Sequence, residues 1–163
     1  MAASDRTYFL RKIISGGQTG VDRAALDAAL DNHFPCGGYC PRGRRAEDGV
    51  IHARYPLREH ASDNYADRTR ENVLQSDGTL IIYAHKLKGG TALTAGFCEQ
   101  YDRPLMLVNA HLDRIEPVTA GALDFFQKFK VCSLNVAGPR KSQWAHGYQY
   151  TYRYIDGIIK ACL

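Results

Sequence analysis

Apolar and polar positions alternate in blocks along this chain, and the blocks read as strands and helices in turn. Arg11 to Ser15, Thr79 to Tyr83, Pro104 to Asn109 and Val131 to Val136 are short continuous apolar runs, the pattern of strands buried on both faces. Between them lie stretches with helical spacing. Val21 to Asn32 places Val21, Ala25, Ala28 and Ala29 on one face. A second helix is predicted from a cap at Asp63 or Asn64 to about Gln75, a third over 91–101 and a fourth over 118–130. The last segment, Tyr148 to Cys162, is two-sided. Tyr148, Tyr150, Tyr152 and Tyr154 alternate as in a strand, while Tyr148, Tyr152, Ile155 and Ile159 share a helical face. Helix is favoured, because it continues the alternation of elements. Phe34 to Gly49 reads as a loop rich in Gly, Pro and Arg with a short strand at its start, and Tyr55 to Ser62 as irregular chain. The sum is an α/β fold of Rossmann-like, doubly wound type, with a mainly parallel sheet and helices on both faces, expected as one domain over 1–163.

Three of the strands end in small-residue turns. They are Gly16-Gly17-Gln18-Thr19-Gly20, Lys88-Gly89-Gly90-Thr91 and Asn135-Val136-Ala137-Gly138-Pro139-Arg140. Glycine lets backbone N–H groups approach a ligand, and the first N–H groups of a helix lack internal partners. Such turns favour anions, and parallel sheets bind ligands beyond the carboxyl ends of their strands. The first turn lacks the G-x-G-x-x-G spacing and the P-loop lysine, so it points to an anion or a ligand edge, and not specifically to a dinucleotide. Gln18 and Thr19 are candidate ligand donors, and Asp22 either accepts from a ligand or caps its helix. In the second turn Thr91 is read as the helix cap, with Thr94 one turn on and on the same face. In the third, Arg140 and Ser142 are read as a charge-assisted clamp, with Asn135 at the strand end. Arg42, in the loop Cys40 to Gly49, either closes over the ligand or belongs to a solvated charge run. Thr69 and Asn72 share a helical face, turned either to the crevice or to water.

Composition narrows the partners. Of 163 residues, 45% are apolar and 23% charged, with a net charge of +4. That mild excess suits a small anionic ligand and makes no case for nucleic acid. No apolar stretch is long enough to span a bilayer, and the polar start, Met1 to Arg6, has no signal-peptide core, so the cytoplasm is the expected compartment. Five cysteines, an odd number, read as free thiols, with Cys36, Cys98, Cys132 and Cys162 expected in the core and no metal site. The Tyr-rich tail, Trp144 to Tyr154, suits either an interface or packing on its own sheet.

Taken as an ordered set, Gly16-Gly17-Gln18-Thr19-Gly20-Val21-Asp22-Arg23, Cys40-Pro41-Arg42-Gly43, Thr69-Arg70-Glu71-Asn72, Lys88-Gly89-Gly90-Thr91 and Asn135 to Arg140 resemble the molybdenum cofactor carrier proteins. These belong to a Rossmann-like group that also contains the cytokinin-activating phosphoribohydrolases. The resemblance runs from about Lys12 to Tyr150. It implies a homo-oligomer, commonly a tetramer, that binds molybdenum cofactor (Mo-molybdopterin) as cargo, protects it and delivers it to molybdoenzymes. The implied site comprises Gly16, Gly17, Gln18, Thr19, Gly20, Asp22, Arg42, Thr69, Asn72, Lys88, Gly89, Gly90, Thr91, Thr94, Asn135, Gly138, Pro139, Arg140 and Ser142. One departure separates the branches. The phosphoribohydrolases carry a catalytic Glu soon after the second turn, where this chain reads Ala92-Leu93-Thr94-Ala95, and Glu99 lies a turn too far on. A non-catalytic carrier is therefore expected. The rival readings are a nucleoside-monophosphate phosphoribohydrolase, with Asp22, Glu47, Asp48 or Glu71 as the only acids near the motifs, and a nucleotide-sensing module without chemistry.

Overall fold

The structure is a computed structural model that describes residues 10–112 and 115–163, with 115–118 given as backbone. In chain order the elements are β1 (Lys12–Ile14), α1 (Val21–Asp31), β2 (Cys36–Gly37), β3 (Tyr39–Cys40), β4 (Arg45–Ala46), β5 (Gly49–Val50), β6 (Arg58–Glu59), α2 (Tyr65–Leu74), β7 (Gly78–Tyr83), α3 (Gly89–Gln100), β8 (Leu105–Asn109), α4 (Ile115–Phe129), β9 (Ser133–Ala137) and α5 (Gly147–Cys162). The central sheet has five strands in the order β2-β1-β9-β7-β8, every neighbouring pair parallel. Ile14 pairs with Asn135, and Asn135 with Thr79. The expected Rossmann-like fold is therefore observed.

The strand order carries a further message. Counted from β9, then β1, β2, β7 and β8, it becomes 3-2-1-4-5, the order of a Rossmann sheet. The chain follows that order in a rotated sequence, with the strand at the Rossmann first position coming last. The point at which strand order reverses lies between β9 and β7, and that is where such sheets bind ligands.

The apolar runs account for the core. Ile13, Leu80, Ile82, Leu134 and Val136 are buried in one cluster with the α1 alanines and with Ile155, Ile158 and Ile159 of α5. Complete burial of one such aliphatic side chain contributes about 1.5–3 kcal/mol. Ala25, Ala28 and Ala29 present little bulk, and α1 packs closely on α5. The tail is helical, and it packs on its own domain face. Tyr154 is fully buried, while Tyr148 and Tyr152 donate to Asp27 and Asp31 of α1. A second cluster, Leu26, Cys40, Ile51, Tyr55 and Leu57, lies beneath chain 41–59.

Several boundaries differ from expectation. The third helix starts at Gly89, so both glycines lie inside it. The stretch 55–62 contains β6, which pairs with β3, and 45–50 forms a hairpin of β4 and β5. Single-residue alternation is too short in these ribbons to register as strands. Cys98 is buried and Cys36 and Cys162 half-buried, but Cys132 is exposed, because it sits at the entry to β9 outside the sheet's packed faces. All five thiols are free.

Candidate functional site

The three glycine turns all follow carboxyl ends of central strands, and they meet at the switch point. The first and third turns touch backbone to backbone. Gly20 precedes α1 with φ of 80°, and a Cβ there would lie 2.6 Å from the Pro139 carbonyl oxygen and 2.9 Å from the Lys141 nitrogen. The Val21 N–H donates to the same Pro139 carbonyl at 3.4 Å. A Cβ on Gly138 would strike the Ile82 carbonyl and the Val21 side chain, so this glycine sets close helix-to-strand packing.

The polar groups of these two turns are largely satisfied within the chain. Gln18 Oε1 accepts from the backbone N–H of Thr19 at 3.0 Å and of Glu47 at 2.9 Å. Two donors on one atom fix it as the carbonyl oxygen and leave the Gln18 NH2 for the cleft. The Thr19 hydroxyl donates to Glu47 at 2.5 Å and accepts from the Lys141 N–H at 3.1 Å. The Ser142 hydroxyl and N–H both donate to Glu47, at 2.6 and 3.0 Å, and Arg140 Nε lies 3.6 Å from the same carboxylate. Arg140 and Ser142, expected to clamp a ligand, hold Glu47 in this structure. Those hydrogen bonds, from Ser142 first and then Thr19, keep the Glu47 carboxyl below the usual range.

Helix α2 supplies the opposite wall. Asn64 caps it by accepting from the Ala66 N–H at 2.9 Å. Tyr65, Arg68, Thr69 and Asn72 follow the i, i+3, i+4, i+7 spacing of one face. Asn72 is committed to structure: its oxygen accepts from Tyr39 N–H at 2.8 Å and its amide donates to Tyr39 carbonyl at 2.9 Å, clamping α2 to β3. The Thr69 hydroxyl donates to the Tyr65 carbonyl at 2.8 Å. Arg68 lies 3.6 Å from Asp22, with both side chains largely buried, and its Nε has no hydrogen-bond partner among the described residues. A Cβ on Gly16 would coincide with the Arg68 guanidinium, so Gly16 admits that side chain. Burial pushes the Asp22 carboxyl up to about 6, opposed chiefly by the Arg68 charge. At neutral pH Asp22 is the ionised partner of Arg68, not a cap for α1, which has no side-chain cap.

Helix α3 faces this wall with an open N-terminus. Its cap residue is Lys88, extended at φ −153° with no side-chain cap bond. Thr91 is thus a buried first-turn residue and not the cap, because the helix begins two residues earlier. The Thr94 hydroxyl donates back to the Gly90 carbonyl at 2.9 Å. The first N–H groups of α3 have no intrahelical partner, and its first turn holds no acid.

A cleft of about 220 Å³ opens between these walls, lined among the candidate residues by Gln18, Thr69, Gly89, Gly90, Thr91, Gly138 and Arg140. Beneath it, Gly16, Asp22, Asn72, Thr94 and Asn135 surround a void of about 10 Å³, roughly the space of one water. Other expected residues lie elsewhere. Gly17 packs under Ile51 and Leu57, Pro139 is buried as backbone, and Thr19 and Gly20 face a neighbouring cavity. Lys88 is exposed behind the helix start. Arg42 is exposed and pairs with Asp63 at 3.7 Å, outside the cleft, because the Arg42 N–H bonds the Ser62 carbonyl and ties this loop toward the start of α2. The structure adds Arg68, Tyr65, Leu93 and Gln143 to the lining. Arg68 was legible through its helical spacing to Tyr65 and Asn72. The lining holds two guanidinium groups and no carboxylate; each guanidinium is paired just outside it, Arg68 with Asp22 and Arg140 with Glu47.

The fold is that of a permuted Rossmann-like protein with an arginine-lined cleft at its switch point. The comparisons place it further. Residues 13–159 match the model of the Circularly permutated YpsA SLOG family, and the chain belongs to that family; the rotated strand order agrees with a description as permuted. The chain is also similar, at 42% identity and a TM-score of 0.89, to a crystal structure described as "Putative molybdenum carrier protein" from Syntrophus aciditrophicus SB, over 95% of this chain and 96% of that one. No curated protein matches. Among the described residues no helix is long and apolar enough to cross a membrane.

Proposed function

We propose that this protein binds molybdenum cofactor as cargo and delivers it to apo-molybdoenzymes in the cytoplasm, working as a homotetramer and without catalysing a reaction. One observation carries the reading: two arginines, the Gln18 amide and an uncapped helix start converge on one cleft at the switch point, with no carboxylate in the lining. That donor set suits a phosphate. Helix N–H groups and a guanidinium complement its charge and its several acceptor oxygens. The apolar rim, Tyr65 and Leu93, suits the ring system that carries it. The neighbour's description supports the molybdenum assignment. Any molybdenum arrives on the cofactor's own dithiolene, so the protein supplies binding and shielding, not metal ligands.

Purified cofactor tests this directly. Co-elution in stoichiometric amount, protection from oxidation and reconstitution of an apo-enzyme are expected, with molybdate and AMP as controls. Failure with cofactor, together with binding of AMP, turns the reading to a nucleotide-binding module. A buried carboxyl raised to about 6 at the cleft floor, Asp22, favours a hydrolase as the second reading. Release of free base from AMP decides for it.

A further inference from the structure

The Glu47 carboxylate sits where a ligand's anion belongs. It receives the Thr19 hydroxyl, the Ser142 hydroxyl and the Ser142 N–H, with Arg140 Nε at 3.6 Å. Two hydroxyls, a backbone N–H and a guanidinium around one point form the donor set of a phosphate site. We propose that Thr19, Ser142 and Arg140 form an anion subsite of the cleft, filled at rest by Glu47, and that the phosphate of an incoming ligand enters by displacing that carboxylate. The proposal rests on the cleft being an anion site and does not depend on the cofactor's identity.

Glu47 is placed to yield. With Asp48 it forms the tip of a hairpin whose strands, β4 and β5, are two residues each. Ribbons of that length have little stability of their own. The tip is held by Glu47 on one side and on the other by Arg23, which grips Asp48 at 2.8 Å. Gln18 and Arg140 line the cleft, while their chain neighbours Thr19 and Lys141 line a second cavity of about 590 Å³. A cleft of 220 Å³ is small for a phosphorylated heterocycle, since ligand pockets run to about 300–1,000 Å³.

A site occupied by its own chain binds ligand with an affinity reduced by the fraction that is open. Glu47→Ala and the isosteric Glu47→Gln are therefore expected to bind inorganic phosphate or AMP at least about tenfold more tightly than the parent chain, by calorimetry. Adding Arg140→Ala is expected to abolish the gain. Folded Glu47 variants that bind neither probe more tightly overturn the proposal and leave Glu47 as a staple. If neither variant folds, hydrogen exchange on the unaltered protein decides. Phosphate is expected to speed exchange at the Glu47 amide, and unchanged or slower exchange overturns the proposal. Neither arm uses the cofactor, so failure here is separable from failure of the carrier reading.

Discussion

The cleft has two sides, built from the same sequence device and used differently. On the β1/β9 side, the glycine turns spend their polar groups on each other: Gly20 lies against Pro139, Thr19 and Ser142 grip Glu47, and Val21 bonds Pro139. On the β7/α3 side, the turn is open. Lys88 offers no side-chain cap, a Cβ on Gly90 would meet nothing within 4 Å, and one on Gly89 only Gln143 at 3.8 Å. A glycine-rich turn after a strand therefore signals close backbone approach, but what approaches is the protein itself on one side and solvent or ligand on the other. The substitutions that follow separate the two uses.

The largest effect is expected where the two sides meet, at Arg68. Removing one member of a buried ion pair costs about 3–5 kcal/mol, because the other charge is left uncompensated. Arg68→Ala strands Asp22 in this way. The carboxyl can escape by taking a proton, so the loss in denaturant unfolding should be near that range at pH 8 and clearly smaller at pH 5. A loss independent of pH would mean that Arg68 matters as packing and not as the partner of Asp22.

Next comes Gly20→Ala, on the closed side. The added methyl meets backbone atoms at 2.6 and 2.9 Å, which cannot move as a side chain can, and φ of 80° is itself unfavourable for alanine. Overpacking of about 1–3 kcal/mol and left-handed strain of about 1–2 kcal/mol together predict a loss near 3 kcal/mol. A melting temperature within a degree or two of the parent would show that the first and third turns are not locked together.

Asp22 gives a smaller, pH-resolved effect. Its folded-state pKa, about 6, lies above its unfolded value of 3.8. Between those limits the folded state holds the extra proton, so this group makes stability fall as pH rises from 4 to 6. The full change is on the order of 2–3 kcal/mol at about 1.4 kcal/mol per pKa unit. Asp22→Asn should flatten that fall. Glu47 and Asp48 have the opposite sign, since their depressed values give stability that is full above their ordinary values of 4.5 and 3.8 and is lost as pH falls through their lower folded values. Unfolding of the parent and of Asp22→Asn at pH 5 and 6.5 isolates the Asp22 contribution.

Much of this arrangement is legible in the amino-acid sequence. Continuous apolar runs identified four of the five sheet strands, all but the two-residue β2, and all three turns fell at their carboxyl ends, because burial on both faces leaves few other solutions. The rotated strand order was not legible, since no local pattern says that β9 inserts between β1 and β7. Within the site, residue types were readable but their partners were not. Thr19, Asn72 and Ser142 are all suited to ligands, yet each is spent on an internal acceptor or donor, Glu47 or Tyr39, that is 28 to 95 residues distant. Arg42 was drawn toward the site by its glycine and proline neighbours, and a bond from its N–H to Ser62 places it elsewhere. Sequence spacing reports which groups share a face, and long-range contacts decide which of them remain free.

The smallest expected effect sharpens the comparison most, because it changes sign between stability and binding. Gly90 lies in the first turn of α3, where a methyl has open space and no positive φ to resist it. Gly90→Ala lowers the entropy of the unfolded chain and raises helix propensity, so stability should rise by about 0.5–1 kcal/mol. The same methyl projects at the cleft lining and holds a ligand off the backbone N–H groups. Affinity for AMP or inorganic phosphate should therefore fall several-fold as the melting temperature climbs. On the closed side no such split is available: Gly20→Ala lowers both together, since the turn that packs is also the turn that shapes the wall. A Gly90→Ala protein that is more stable and binds as well as the parent would place the anion away from the α3 start and leave Arg68 and Arg140 as its principal partners.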